Sequence, residues 1–211
     1  DCGSANCRKS ADFCEAKFSQ SVDFTYSSFN EVFFRNSVFE GSAHFALVHF
    51  TTTADFSECI FGHNAFFNDL FLTNETSLSF TQARLADTLD FSGNAEVPVV
   101  IELTDANFSK DSGVHWIFLN RTDISKFHLD YTHFRLLFDD PKFSDSTSSS
   151  DEREFVYEGL LNNFKTHGQQ ESYKLLDIEY QYFRWRHSWN RWLVWIPLLW
   201  WNFGYDKELV F

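Results

Sequence analysis

Phenylalanine recurs in this chain at a spacing that neither an α-helix nor a flat sheet can use. Large apolar residues stand at Phe13, Phe18, Phe24, Phe29, Phe34, Phe39, Phe45, Phe50, Phe56, Phe61, Phe67 and Leu72, every step five or six residues long. Two positions before each comes a smaller residue: Ala11, Ala16, Val22, Ser27, Val32, Ser37, Ala43, Val48, Ala54, Cys59 and Ala65, with only Leu70 larger. A helix needs apolar residues three, four and seven apart, and a long strand needs strict alternation. Two inward residues flanking one outward residue, then polar residues, suit a short strand followed by a tight corner. One such coil cannot bury its own ring, so coils must stack and each Phe must lie over another. The expected fold is an all-β solenoid with a structural ladder of Phe13, Phe18, Phe24, Phe29, Phe34, Phe39, Phe45, Phe50, Phe56, Phe61 and Phe67. The ladder also accounts for the 27 Phe in 211 residues, far above ordinary usage. Three Pro and eight Gly exclude a collagen-like chain.

The segments "ADFCEAKF", "VDFTYSSF" and "ADFSECIF" resemble the pentapeptide-repeat proteins, whose unit is A-[DN]-[LF]-x-x. The resemblance covers residues 11–91 and implies a right-handed quadrilateral β-helix with four faces per coil. The six-residue steps depart from that unit and imply bulged corners. The register slips near Asn74-Glu75-Thr76 and resumes at Leu78-Phe80, Ala83-Leu85 and Leu89-Phe91. Later rungs are looser: "VPVVIEL" reads as a buried strand, and Ala106-Asn107-Phe108 is a further unit. The expectation is roughly six coils stacked at about 4.8 Å, a rod on the order of 30 Å long.

The organisation expected is a cap over residues 1–10, the β-helix over 11–138, a linker over 139–154 and a helical hairpin with a Trp-rich segment over 155–211. The linker, "DDPKFSDSTSSSDERE", is rich in Ser and Asp. After it the period turns helical, with stripes at Phe155, Leu160, Leu161, Phe164 and at Tyr173, Leu176, Tyr180, Phe183, and with Gly168 as a stop between them. Some bacterial pentapeptide-repeat proteins are similar here. They carry such a helical pair, then a Gly-Tyr element matched by Gly204-Tyr205, then transmembrane helices, which do not follow in this sequence. The resemblance therefore implies the membrane-linked type. The start at Asp1, without Met, reads as a processed form or a fragment.

Six of the seven Trp fall at Trp185, Trp189, Trp192, Trp195, Trp200 and Trp201. The uncharged run from Trp192 to Phe203 is well short of the roughly 20 residues a spanning helix needs. With Arg184, Arg186 and Arg191 nearby, these rings suit either a membrane interface or a protein contact. Cys2, Cys7 and Cys14 cluster near the N-terminus, where a disulfide such as Cys2–Cys7 or Cys7–Cys14 would close the fold in an oxidising compartment; reduced thiols are the alternative. Cys59 takes an inward position and reads as a buried, inert thiol.

No nucleophile elbow, zincin motif, phosphate loop or dinucleotide fingerprint occurs. His44 with His49 and His128 with His133 are five apart, which places each pair on adjacent faces with no further ligands identified, so solvated repeat residues are the better reading. Asp12, Asp23, Asp55, Asp90 and Asp105 recur beside inward Phe and read as turn acceptors rather than catalysts. No catalytic, cofactor or metal residue is assigned, and no cofactor is expected. A net charge of −13 disfavours nucleic acid as a partner. The expected function is a non-catalytic scaffold or protein-interaction module. Its expected partners are a protein and, through the Trp-rich segment, a membrane surface or membrane subunit at an extracytoplasmic site. No small-molecule substrate is expected. The alternative is an acidic DNA mimic that binds a topoisomerase or another nucleic-acid-binding protein.

Overall fold

The computed structural model describes residues 3–85, 87–94, 97, 99, 101–103, 106–108, 115–131, 134–138 and 149–187. Short strands stack in parallel register into a β-solenoid of about five turns, followed by two helices. Ala11, Val32, Ala54, Leu78, Ile101 and Phe127 occupy one rung position on successive turns. Their spacing shows that a turn consumes 21 to 26 residues. Strict five-residue sides would need only about 20. This is why the rod has about five turns rather than the six expected.

The core consists of four vertical columns. Phe13, Phe34, Phe56 and Phe80 stack with ring centroids 4.9, 5.1 and 5.2 Å apart. Phe18, Phe39 and Phe61 stack at 4.9 Å in both steps. Phe24, Phe45, Phe67 and Phe91 follow at 5.1, 4.9 and 5.4 Å. Phe29 and Phe50 make the fourth column at 6.2 Å, and Leu72 is in register above them. Within a layer, rings from different columns meet edge to face, as Phe45 and Phe56 do at 5.0 Å. Stacking along the rod and edge contacts across it are both favoured aromatic geometries. From Phe24 to Phe67 every ladder ring is buried, but Phe13 and Phe18 are half-buried because the first turn has no coil beneath it.

The mixture of five- and six-residue steps has a structural cause. Glu15, Tyr26, Asn36, Leu47, Glu58, Asp69 and Gln82 have left-handed φ between 53° and 61°. Each lies two residues after a ring of the first or third column, in a turn from that ring to the next small inward residue. The step across every one of these turns is five. Hydrogen bonds such as Ala16 N–H to Phe13 O (3.1 Å) and Ser37 N–H to Phe34 O (2.9 Å) close them. The left-handed residues also donate along the rod, as in Glu58 N–H to Thr81 O at 2.8 Å. Stacking thus holds a conformation that ordinarily costs about 1 kcal/mol outside glycine. The six-residue steps fall at the other two corners. There the extra residue is taken up as a bulge, where Thr51 and Thr52 oppose the single Asn30, or as an open bend such as Glu40-Gly41-Ser42. Gly41 is required in that bend, because a Cβ there would collide with the backbone of Gln20 and Ser21 one turn earlier.

Polar residues at inward positions are also explained. Ser37 Oγ and Cys59 Sγ donate to Phe13 O (2.6 Å) and Phe34 O (2.9 Å), and Thr122 Oγ1 donates to Phe91 O (2.6 Å). Each meets a turn carbonyl of the preceding coil that would otherwise lack a partner along the rod.

Residues Asn6–Asp12 form a strand paired with Ser28–Phe33, so residues 6–10 belong to the first turn rather than to a separate cap. At the other end, helix α1 spans Ser150–Thr166 and α2 spans Gln170–His187. Helix α1 begins five residues before the expected end of the linker, because Ser149 and Glu152 form a reciprocal capping box. Residues 139–148 lie outside the described residues. The buried face of α1 is Val156, Tyr157, Leu160 and Phe164. Phe155 is 59% exposed and Leu161 half-buried, so the stripe is rotated from the expected one. Leu176 and Tyr180 of α2 are buried, with Tyr173 and Phe183 half-buried against the core. Gly168 turns the chain between the helices at φ +70°.

Candidate interaction surface

The helical pair closes the last turns of the solenoid through polar contacts. Asn163 Nδ2 donates to Ile124 O at 3.0 Å, and Gln169 Nε2 to Leu129 O at 3.2 Å. Tyr131 N–H donates to Ser172 Oγ at 3.0 Å. The hydroxyls of Tyr131 and Tyr157 both donate to Glu179, at 2.6 and 2.9 Å. Burial, followed by the Glu179 charge, pushes both phenols well above their ordinary range, so they stay protonated donors. His128 Nε2 and His167 Nε2 face each other at 3.0 Å.

With rings filling the rod, what the solenoid offers a partner is its outside. Outward residues also form columns. Asp23, His44 and Phe66 are in register on one face, and the column continues into Asp90 and Phe118, which are buried. Ser28, His49 and Phe71 are in register on the adjoining face. Between these faces run the left-handed corner residues Tyr26, Leu47 and Asp69. Tyr26 is 66% exposed and Phe71 56% exposed. The rings of His44 and Phe66 stack at 4.5 Å, and His49 meets Phe71 at 6.4 Å. An aromatic and histidine patch therefore wraps one edge of the rod over the first three turns, with Asp23 and Asp69 exposed beside it.

The recurring aspartates act in turns. Asp12, Asp23, Asp55 and Asp90 each accept the N–H two residues on, at 2.8 to 2.9 Å. The N–H of Cys14 holds the Asp12 carboxyl below its usual range. Burial works against charge on Asp55, but hydrogen bonds from Ser57 and the Arg35 guanidinium at 2.6 Å outweigh it, and its carboxyl is also lowered. At Asp90 burial wins and pushes the carboxyl up to about 6. Asp105 and His133 lie outside the described residues, as do Cys2, Trp189, Trp192, Trp195, Trp200 and Trp201.

Trp185 is half-buried on α2, and Arg184 beside it sits 5.6 Å over the Tyr180 ring. Among the described residues no helix is long and apolar enough to cross a membrane. Cys7 and Cys14 are free thiols, so the Cys7–Cys14 pairing is not present. Cys7 is in the strand opposite Phe29, whereas Cys14 sits in the corner turn beyond Phe13, with its N–H on Asp12. Cys59 is buried, and desolvation pushes its thiol up to about 12, which leaves it unreactive. Among the described residues no three His, Cys, Asp or Glu gather as a metal site.

Tyr26, Leu47, Phe66 and Phe71 were not legible as surface residues without the fold. Their signal is positional: Phe66 and Phe71 stand between two inward residues, and Tyr26 and Leu47 stand in the turn two residues after an inward Phe. No family model, curated protein or solved structure matches this chain.

Proposed function

We propose that this protein is a non-catalytic interaction scaffold of pentapeptide-repeat type, whose rigid solenoid presents the Tyr26–Phe71 edge to a protein partner. The observation that carries this reading is the exposure of Tyr26, in a corner turn, and of Phe71, on a short strand, both fixed by the stacked core. Aromatic anchors on a preformed surface bind at low entropic cost, and such residues are enriched in interface hot spots. With net charge −13 and acidic residues beside the patch, the fitting partner offers an apolar groove rimmed by Lys or Arg. The Trp-rich C-terminal segment would add a membrane or membrane-subunit contact at an extracytoplasmic site. The test is photo-crosslinking in the native cell from a reactive residue placed at position 71 or at position 20. The expected result is a discrete protein adduct from position 71 that a Tyr26→Ser change removes. Equal labelling from both positions would overturn the proposed edge.

The net charge also suits a DNA mimic acting on a topoisomerase. A supercoiling assay separates the two: a scaffold of the first kind leaves the topoisomerase unaffected at micromolar concentration.

A further inference from the structure

We infer that His128 and His167 form a two-imidazole chelate for a late first-row divalent ion, one that locks the helical pair onto the end of the solenoid. His128 is on the Phe127–His128 strand of the solenoid, and His167 is the C-cap of α1, 39 residues later. Their Nε2 atoms are 3.0 Å apart, with ring centroids 4.4 Å apart and planes at 65°. A straight N–H···N bond along both ring axes would hold the centroids about 5.3 Å apart, so these rings meet at an angle rather than head on. Two imidazole nitrogens each about 2.1 Å from one ion, at right angles, stand about 3.0 Å apart. The pair therefore has the separation of two neighbouring positions in a tetragonal or octahedral site, the geometry of Ni²⁺ and Cu²⁺ with nitrogen ligands.

The tautomer is arranged as well. Asn163 O lies 2.9 Å from His167 Nδ1 and, as a carbonyl, can only accept. The Nδ1 proton is thereby fixed and the His167 Nε2 lone pair faces His128, an outer-shell arrangement typical of metal-bound histidine. Without metal, His128 Nε2–H donates to that lone pair. With metal, the His128 proton moves to Nδ1 and both Nε2 atoms bind, with no change in ring charge. His167 is exposed and His128 half-buried, so an ion and its remaining water ligands can reach them.

The test is calorimetric titration of the intact chain with Ni²⁺ after its accessible thiols are alkylated, in parallel with thermal unfolding in Ni²⁺ or in chelator. Wild type is expected to bind one ion through this pair and to unfold at a higher temperature with Ni²⁺. H167A is expected to weaken that binding at least tenfold, since even outer-shell losses cost about 10- to 100-fold, and to abolish the thermal shift. H63A, at an exposed histidine elsewhere, should match wild type. If H128A proves unfolded, H167A at the exposed position decides alone. Wild-type affinity and thermal shift retained in H167A, or lost equally in H63A, would overturn the assignment.

Discussion

Phe56→Ala will destabilise the chain by about 3–5 kcal/mol, the range for deleting a large buried aromatic. Phe56 sits at the centre of the ring network, touching rings of its own column and of the other three. It stacks on Phe34 and Phe80 at 5.1 and 5.2 Å and meets Phe45 and Phe67 edge to face, both at 5.0 Å. Its neighbours cannot collapse into the space, because each directly follows a strand paired with the turns above and below. A solenoid transmits stability only between adjacent turns, so a gap at this level also uncouples the turns on either side. Phe71→Ala removes the same side chain from an exposed position beside Leu72, three inward steps further along the chain, and should change stability by no more than about 0.5 kcal/mol. Urea unfolding of both variants checks the contrast. Equal costs would mean the rings are not segregated as described.

Asp90→Asn, in contrast, will stabilise the chain at neutral pH. Asp90 is 2% exposed, lies in register between Phe66 and Phe118, and has its carboxyl pushed up to about 6 by burial, with the Asp69 charge adding to the shift. Its native form holds a proton more tightly than the unfolded chain, whose carboxyl titrates near 4. Unfolding therefore releases that proton between about pH 4 and 6, and stability falls as pH rises through this window. The full shift amounts to about 3 kcal/mol at pH 7. Asparagine keeps an oxygen to accept the Ser92 N–H now 2.8 Å away and carries no charge. The difference in urea midpoint between the variant and wild type should be near zero below pH 4, grow to pH 6 and level off above. A variant no more stable than wild type at pH 7 would show that Asp90 is not held in a desolvated site.

Much of this architecture is written locally. The two-residue offset between a small residue and a Phe marks both inward positions, so the solenoid and its ladder follow from spacing alone. The corners were harder. A left-handed turn built on Glu15, Leu47 or Glu58 carries no glycine signature, because its conformation is held by hydrogen bonds to the neighbouring coil rather than by the residue's own preference. The start of α1 was legible in Ser149 and Glu152, but the surrounding Ser-rich composition masked it. The surface patch needed the pleat to be known first, since Phe66 and Phe71 differ from ladder residues only in phase. The His128–His167 pair was beyond reach of spacing, because it arises where the last strands meet a helix that folds back across 39 residues. The sequence paired His128 with His133 by repeat position, and among the described residues His128 meets His167 of the helical pair.

The central claim is that phenylalanines 21 to 24 residues apart lie face to face along one axis. Nuclear Overhauser contacts between the rings of selectively labelled Phe34, Phe56 and Phe80 measure this directly. The account predicts strong Phe34–Phe56 and Phe56–Phe80 contacts and none between Phe34 and Phe80. Absence of the two neighbour contacts, together with helical contacts between residues three or four apart over 11–91, would contradict it.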